Sequence, residues 1–199
     1  MKHAPQSLPE LERLDVGTAF RLARLRNNPL VKVAAGAAQV ADQPPMLGVS
    51  TLALAAGLLF SNKRLSEAGL RVLAATLATT VLKSAVEKNV RRTRPNAVLD
   101  GEEYTCERGR PEKGAFKSFP SGHTADAVSA ARALARIYPE HRAAIWSMAA
   151  LIAAVQLPSG AHYPSDLVAG AVVGLAGEAM AGAAVSAGLK AANGSRDRF

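Results

Sequence analysis

Two of the chain's four histidines stand in settings that suit phosphate chemistry. In Pro120-Ser121-Gly122-His123-Thr124, just ahead of an apolar-periodic stretch, Ser121 suits a helix N-cap and Gly122 permits close approach to the backbone. The free N–H groups of a first helical turn attract anions. His123 would then stand where it can hand a proton to an oxygen leaving such an anion. A plain helix start carrying an exposed histidine has the same sequence. In His162-Tyr163-Pro164-Ser165-Asp166 a carboxylate follows an imidazole by four residues, at the start of the last helical segment. A carboxylate so placed can hold one ring nitrogen as N–H and leave the other as a nucleophile. A turn closed by a helix-capping Asp fits these residues too.

A third feature is cationic. Lys83, Lys88, Arg91, Arg92 and Arg94 crowd the end of another helical segment, directly before Pro95. Cations this close repel one another unless anions neutralise them. A phosphate held through paired Arg hydrogen bonds would do so; a solvated helix end, where cations favour the dipole, is the plainer account. No carboxylate cluster suited to Mg²⁺, no H-E-x-x-H, no Walker loop and no G-x-S-x-G is present. Phosphate chemistry here is therefore expected to run without a metal or other cofactor. The single cysteine, Cys106, excludes an internal disulfide, a cysteine-built zinc site and an iron–sulfur cluster.

The elements that must position these residues read as helices. The 199 residues make one domain the default, and 49% hydrophobic residues exclude a disordered chain. Period-2 alternation is missing, and no Asn-Gly or Asp-Gly hairpin signal occurs, so an all-α fold is expected. Helices are predicted at 8–27, 30–41, 46–61, 65–91, 121–138, 140–157 and 165–191. Gln43-Pro44-Pro45 and Tyr138-Pro139-Glu140 mark breaks, and 95–120 reads as one long non-helical loop. Leu8 to Leu25 reads as a basic amphipathic helix, suited to a membrane surface or to a place packed on a bundle. Met1 to Asn28 lacks a continuous apolar stretch, so no cleavable signal peptide is expected.

Four uncharged runs bear on a bilayer, which needs about 20 mainly apolar residues per helix. Met46–Phe60 has 15 residues and Val72–Leu82 has 11; Ala143–Ser165 reaches 23 but contains Pro158 and Pro164, and Leu167–Leu189 reaches 23 interrupted only by Glu178. A multi-helix membrane bundle and a soluble Ala-rich bundle both fit on hydropathy alone. In the last helix Gly170, Gly174, Glu178 and Gly182 fall on one stripe, where small residues let helix backbones approach. Glu178 would be costly against lipid and is expected to face the bundle. The organisation expected is an amphipathic, juxtamembrane 1–45, a helical domain at 46–191 and a polar tail at 192–199.

Taken together, Arg94-Pro95, Pro120-Ser121-Gly122-His123 and His162-Tyr163-Pro164-Ser165-Asp166, in this order, resemble the type-2 phosphatidic acid phosphatase family. The resemblance spans about Lys83 to Gly174. It implies the phosphatidic acid phosphatase/haloperoxidase-like helical core and metal-independent hydrolysis. His162 would attack phosphorus and form a phosphohistidine. Asp166 would orient His162, and His123 would protonate the leaving oxygen. Arg94, Ser121 and the Gly122 N–H would hold the phosphate oxygens. It further implies a lipid phosphate substrate and a multi-pass place in the cell membrane, of the bacterial inner-membrane kind.

Two positions depart from the family pattern. Glu87 stands where the family has its lysine, so Lys83 or Lys88 is expected to supply that cation. Gln156, preceded by Val155, stands where the family has an arginine; its amide is a weaker phosphate contact, and Arg91 and Arg92 are candidate substitutes. A non-catalytic lipid-phosphate binder is the alternative these departures raise. Nucleic-acid binding rests only on the net charge of +8, with no recognised motif behind it, and is not expected. Residues 1–45 carry 6 Lys/Arg and 83–120 carry 9 of the chain's 24, which by the positive-inside rule puts the site on the cytoplasmic side.

Overall fold

A computed structural model describes residues 8–196, with side chains through Gly188. Eight α-helices occur among the described residues: α1 (Glu10–Ala23), α2 (Pro29–Ala38), α3 (Gln43–Leu59), α4 (Lys63–Glu87), α5 (Pro95–Leu99), α6 (Gly122–Ile137), α7 (Arg142–Val155) and α8 (Pro164–Arg196). Of the two expected breaks, Gln43-Pro44-Pro45 forms the first turn of α3 and Pro139 falls between α6 and α7, while two further breaks carry asparagine caps. The Asn28 side chain accepts from Leu30 N to open α2 behind Pro29, and Asn62 does the same for α4 through Leu65 N. Pro139–His141 forms a single 3-10 turn between α6 and α7.

The bundle is built around α4 and α6. α3 and α8 pack on α4, and α7 and α8 pack on α6. The interfaces are made by small residues, because close backbone approach replaces bulky interdigitation. A Cβ on Gly69 would stand 2.4 Å from Leu54 N, and one on Gly57 would stand 2.3 Å from Ser66 N. Ala75, Ala130 and Ala133 join Val72 and Ala181 in one buried cluster, and Ala41, Ala127, Ala131 and Ala149 form another. The stripe on α8 faces α6 as its spacing suggests: Cβ atoms on Gly170 and Gly174 would stand 2.5 Å from Ser121 O and 2.3 Å from Ala125 O. Glu178, 1% exposed, faces the bundle and pairs with Arg132 at 2.7 Å and Arg136 at 3.2 Å.

Three features differ from the sequence-based expectation. The 95–120 stretch is not a plain loop: it holds α5, a 3-10 turn at Gly114–Phe116 and the strand β2 (Cys106–Arg108). β2 pairs antiparallel with β1 (Val90–Arg92), with Arg91 opposite Glu107. This ladder ends α4 at Glu87, short of the predicted 91. α7 stops at Val155, close to the predicted 157, and the chain turns back through Gly160, which has φ +73. A residue with a Cβ is strained there, and the turn is what delivers His162 to the bundle's end. The tail expected at 192–199 is helical through Arg196; 197–199 lie outside the described residues.

Candidate active site

The two histidine motifs are tied directly to each other. Ser121 caps α6, its Oγ accepting from Thr124 N at 3.4 Å and from Thr124 Oγ1 at 3.0 Å. The Ser121 backbone N donates to Asp166 O at 3.0 Å. Ser118 Oγ donates to Asp166 Oδ2 at 2.6 Å, and Ser118 O lies 2.7 Å from His162 Nδ1. A carbonyl oxygen only accepts, so Nδ1 carries the ring proton and Nε2 is left with its lone pair. His162 is 2% exposed.

Asp166 takes a different place from the one its spacing suggests. Its Oδ2 is 3.7 Å from His162 Nδ1, beyond hydrogen-bonding distance. The carboxylate is filled instead by Ser118 Oγ, by Tyr163 N at 2.8 Å and by Arg92 at 2.6 Å. It therefore acts on His162 through charge and by fixing Ser118, while the Ser118 carbonyl takes the ring N–H.

Arg92 completes this buried layer. It is 3% exposed, donates to Asp15 Oδ2 at 2.6 Å and to Ser165 Oγ at 2.7 Å, and lies 3.9 Å over the Tyr163 ring. Burial works to lower its pKa, but the Asp166 and Asp15 carboxylates outweigh that and raise it above the ordinary arginine value. Asp15 lies on α1 and also accepts from Ser165 N at 2.8 Å, so it caps α8 from a distant helix. The amphipathic helix thus docks against the back of the site, burying Val16, Ala19 and Phe20 with Val98 and Tyr163.

On the other side stand His123, Lys83 and Arg94. Asp42, His162, Arg94 and Lys83 bear electrostatically on His123, and Asp42 Oδ1 lies 3.1 Å from its Nε2. Lys83 reaches across from α4 to pair with Asp126 at 3.2 Å. A Cβ on Gly122 would stand 3.2 Å from Lys83 Nζ, so the glycine lets the ammonium approach the first turn of α6. Arg94 makes one side-chain bond, Nε to Lys117 O at 3.3 Å. Burial lowers its pKa from the ordinary value, against the opposing charges of Asp166, Glu87 and Asp42.

The remaining candidates lie elsewhere. Lys88 is exposed at the C-cap of α4 and lines a separate cleft with Ser84, Glu87, Arg110, Pro111 and Lys117. Glu87 pairs with Lys117 at 3.2 Å. Gln156 is buried, and its Nε2 donates to Ile152 O of its own helix at 3.1 Å; its backbone carbonyl accepts from Ala161 N and His162 N. Neither expected substitute for the missing arginine stands free. Arg92 is enclosed by carboxylates, and Arg91 pairs with Glu107 at 2.7 Å while stacking on Phe116.

The profile of the PAP2 superfamily matches residues 65–186, which include every motif residue described above. The chain belongs to the PAP2 superfamily. A lipid A 1-phosphatase of Rhizobium etli is 35% identical over 109 residues, 51% of this chain and 46% of that protein, so the chain spans just under half the length of that relative. The crystal structure of Aquifex aeolicus LpxE superposes with a TM-score of 0.56 at 20% identity, covering 84% of this chain and 94% of that one. That of the transmembrane PAP2-type phosphatidylglycerolphosphate phosphatase of Bacillus subtilis gives 0.58 at 19% identity, covering 90% and 88%. The helical arrangement is thus the PAP2 transmembrane phosphatase fold.

Four residues at or behind this PAP2 site were not singled out from the sequence: Asp15, Asp42, Ser118 and Asp126. Ser118 acts through its backbone carbonyl as much as its hydroxyl, and a carbonyl leaves no mark in a sequence. Asp126 carried a readable signal, the one charge in the Ala125–Ala131 stretch.

Proposed function

We propose that the chain is a membrane phosphatase that hydrolyses the phosphate or diphosphate of a lipid through a phosphohistidine on His162. The observation that carries this reading is the His162 ring held through Nδ1 by Ser118 O, which leaves Nε2 its lone pair, with His162, Arg94 and Lys83 all bearing electrostatically on His123. In the first step the His162 Nε2–P bond forms and the P–O bond to the lipid breaks. His123, as imidazolium, gives its proton to the departing oxygen. Arg94, Lys83 and the N–H groups at the start of α6 offset the negative charge on the phosphoryl oxygens. In the second step water attacks phosphorus, neutral His123 takes a proton from that water, and the P–N bond breaks to release phosphate. Protein cations supply the charge that a metal ion supplies in other phosphatases.

Two features support a lipid substrate. α4 and α8 are long and apolar enough to cross a membrane, and large apolar side chains point outward on several helices, among them Leu59, Val81, Leu151 and Val168. An apolar cavity of about 500 Å³ lies between α3, α4, α6 and α7. Its lining includes Ala41, next to Asp42, and Ala127, one helical turn from His123, which suits an acyl chain leading away from the site. Bis-phosphorylated glycolipid and phosphoglycerol lipids are both within this class.

The test is phosphate release from dioctanoyl phosphatidate in EDTA by the wild type and by His162→Ala. Release by the first and none by the second supports the reading; equal rates overturn it. A second reading, a binder that kept the pocket without turnover, is favoured by Gln156 turning onto Ile152 O and Glu87 onto Lys117. Sustained release from any lipid phosphate removes it.

A further inference from the structure

Asp42 is the N-cap of α3, with extended backbone at φ −70 and ψ 152. An N-cap carboxylate ordinarily accepts from the N–H of the second or third helical residue. Here those residues are Pro44 and Pro45, which have no N–H. Asp42 accordingly makes no side-chain cap bond. The Asp42-Gln43-Pro44-Pro45 sequence leaves the carboxylate without its usual partner and available to something else.

That something is His123. Asp42 Oδ1 lies 3.1 Å from His123 Nε2, on a ring that is 17% exposed. Nε2 makes no hydrogen bond in this arrangement. Nε2 is itself buried, so the carboxylate sits beside the ring nitrogen, out of line with its N–H. The other groups bearing on the ring are Lys83 from α4, Arg94 from the loop and His162 from the α7–α8 turn. Two of these are cations, and His162 is a third source of positive charge when protonated. The other nearby acid, Asp126, is engaged by Lys83. Burial first, and then His162, Arg94 and Lys83, lower the ring's pKa and favour loss of its proton, and Asp42 is the group among these that raises it.

We propose that Asp42 is a positioning residue for the general acid: it holds His123 as imidazolium at the site and fixes the ring, without occupying the N–H that protonates the leaving oxygen. This rests on the phosphohistidine reading above. When the P–O bond breaks, the proton moves from His123 to the lipid oxygen, and the Asp42 charge remains opposite a neutral ring. When water attacks the phosphoenzyme, the proton returns to His123, and the ion pair is restored.

The experiment compares two leaving groups, because a nitrophenolate departs without a proton and a glycerol alkoxide does not. Wild type, Asp42→Asn and Asp42→Glu are assayed on dioctanoyl phosphatidate and on p-nitrophenyl phosphate. For Asp42→Asn, kcat on phosphatidate is expected to fall about 10–100-fold with KM within about twofold, and nitrophenyl turnover to fall far less. Asp42→Glu is expected to recover part of the loss. If Asp42→Asn does not fold, Pro45→Ala decides: it restores an N–H at the third helical residue, draws the carboxylate into its own helix, and is expected to give the same leaving-group signature in a folded protein. Equal losses on both substrates, or unchanged phosphatidate turnover, overturn the proposal. His162→Ala, assayed alongside, separates the two failures. If it is inert while Asp42→Asn matches wild type, only the Asp42 assignment falls; if it retains full turnover, the phosphohistidine reading falls.

Discussion

The carbonyl oxygen of Ser118 stands 2.7 Å from Nδ1 of His162, closer than any carboxylate. The imidazole is therefore oriented by backbone, and the acid four residues along is free to hold the architecture. Asp166 does this by joining Ser118, Tyr163 and Arg92 in a layer that is 0–3% exposed.

His162 and Asp166 should consequently separate in their effects. His162→Ala is expected to abolish turnover at little cost in stability. Asp166→Ala leaves Arg92 buried with Asp15 as its remaining carboxylate partner, and breaking a buried pair costs about 3–5 kcal/mol. Thermal unfolding in detergent checks this: a clear fall in Tm for Asp166→Ala and a small one for His162→Ala. Equal Tm values would show that Asp166 is not holding the layer together.

Asp15 links α1 to the site through Ser165 and Arg92. Asp15→Ala removes a charge-assisted partner of a buried arginine and a distant cap of α8. A loss of about 2 kcal/mol is expected, with α1 becoming sensitive to protease. Unchanged protection of α1 against limited proteolysis would mean that apolar packing alone docks it.

The glycines of α8 fix how near α6 can come. Gly174→Ala puts a methyl 2.3 Å from Ala125 O and is expected to cost about 1–3 kcal/mol while shifting His123 and lowering kcat. Gly48→Ala on α3 meets nothing within 4 Å and is expected to be neutral or stabilising by about 0.5–1 kcal/mol. Paired melting curves and rates decide it; similar behaviour of the two variants would contradict the close α6–α8 contact.

Two lysines compete for the family's cation position, and they are placed differently. Lys83 stands beside Gly122, whereas Lys88 lines an outer cleft. Lys83→Met is expected to reduce kcat/KM about 10–100-fold, the equivalent of one charge-assisted bond of about 1.5–3 kcal/mol. Lys88→Met should stay within about twofold under the same assay. The reverse order would move the phosphate toward the outer cleft.

Much of this was legible in the residues. Seven of the helices announce themselves through apolar spacing, and Gln43-Pro44-Pro45 and Pro139 punctuate them. The β1–β2 ladder escaped because Val90-Arg91-Arg92 and Cys106-Glu107-Arg108 are mostly charged, with no alternation to read, and they are held by cross-strand Arg91–Glu107 pairing. Ser121 as a cap and Glu178 as an inward acid followed from local chemistry. Asp15 did not, since its partners lie 77 and 150 residues away. The fate of Gln156 also lay beyond reach, because only the end of α7 decides whether its amide faces the site or Ile152. Asp42 was readable in principle: a capping residue whose second and third successors are prolines finds no N–H there to accept from.

The central claim is that His162 Nε2 receives the phosphoryl group. Rapid acid-free quenching of the enzyme with ³²P-labelled phosphatidate, followed by peptide mapping, tests it most directly. The account predicts an acid-labile, base-stable label on Nε2 of His162 that forms before phosphate is released and is missing in His162→Ala. Turnover at the full rate with no label on His162, or a label that persists in His162→Ala, would contradict it.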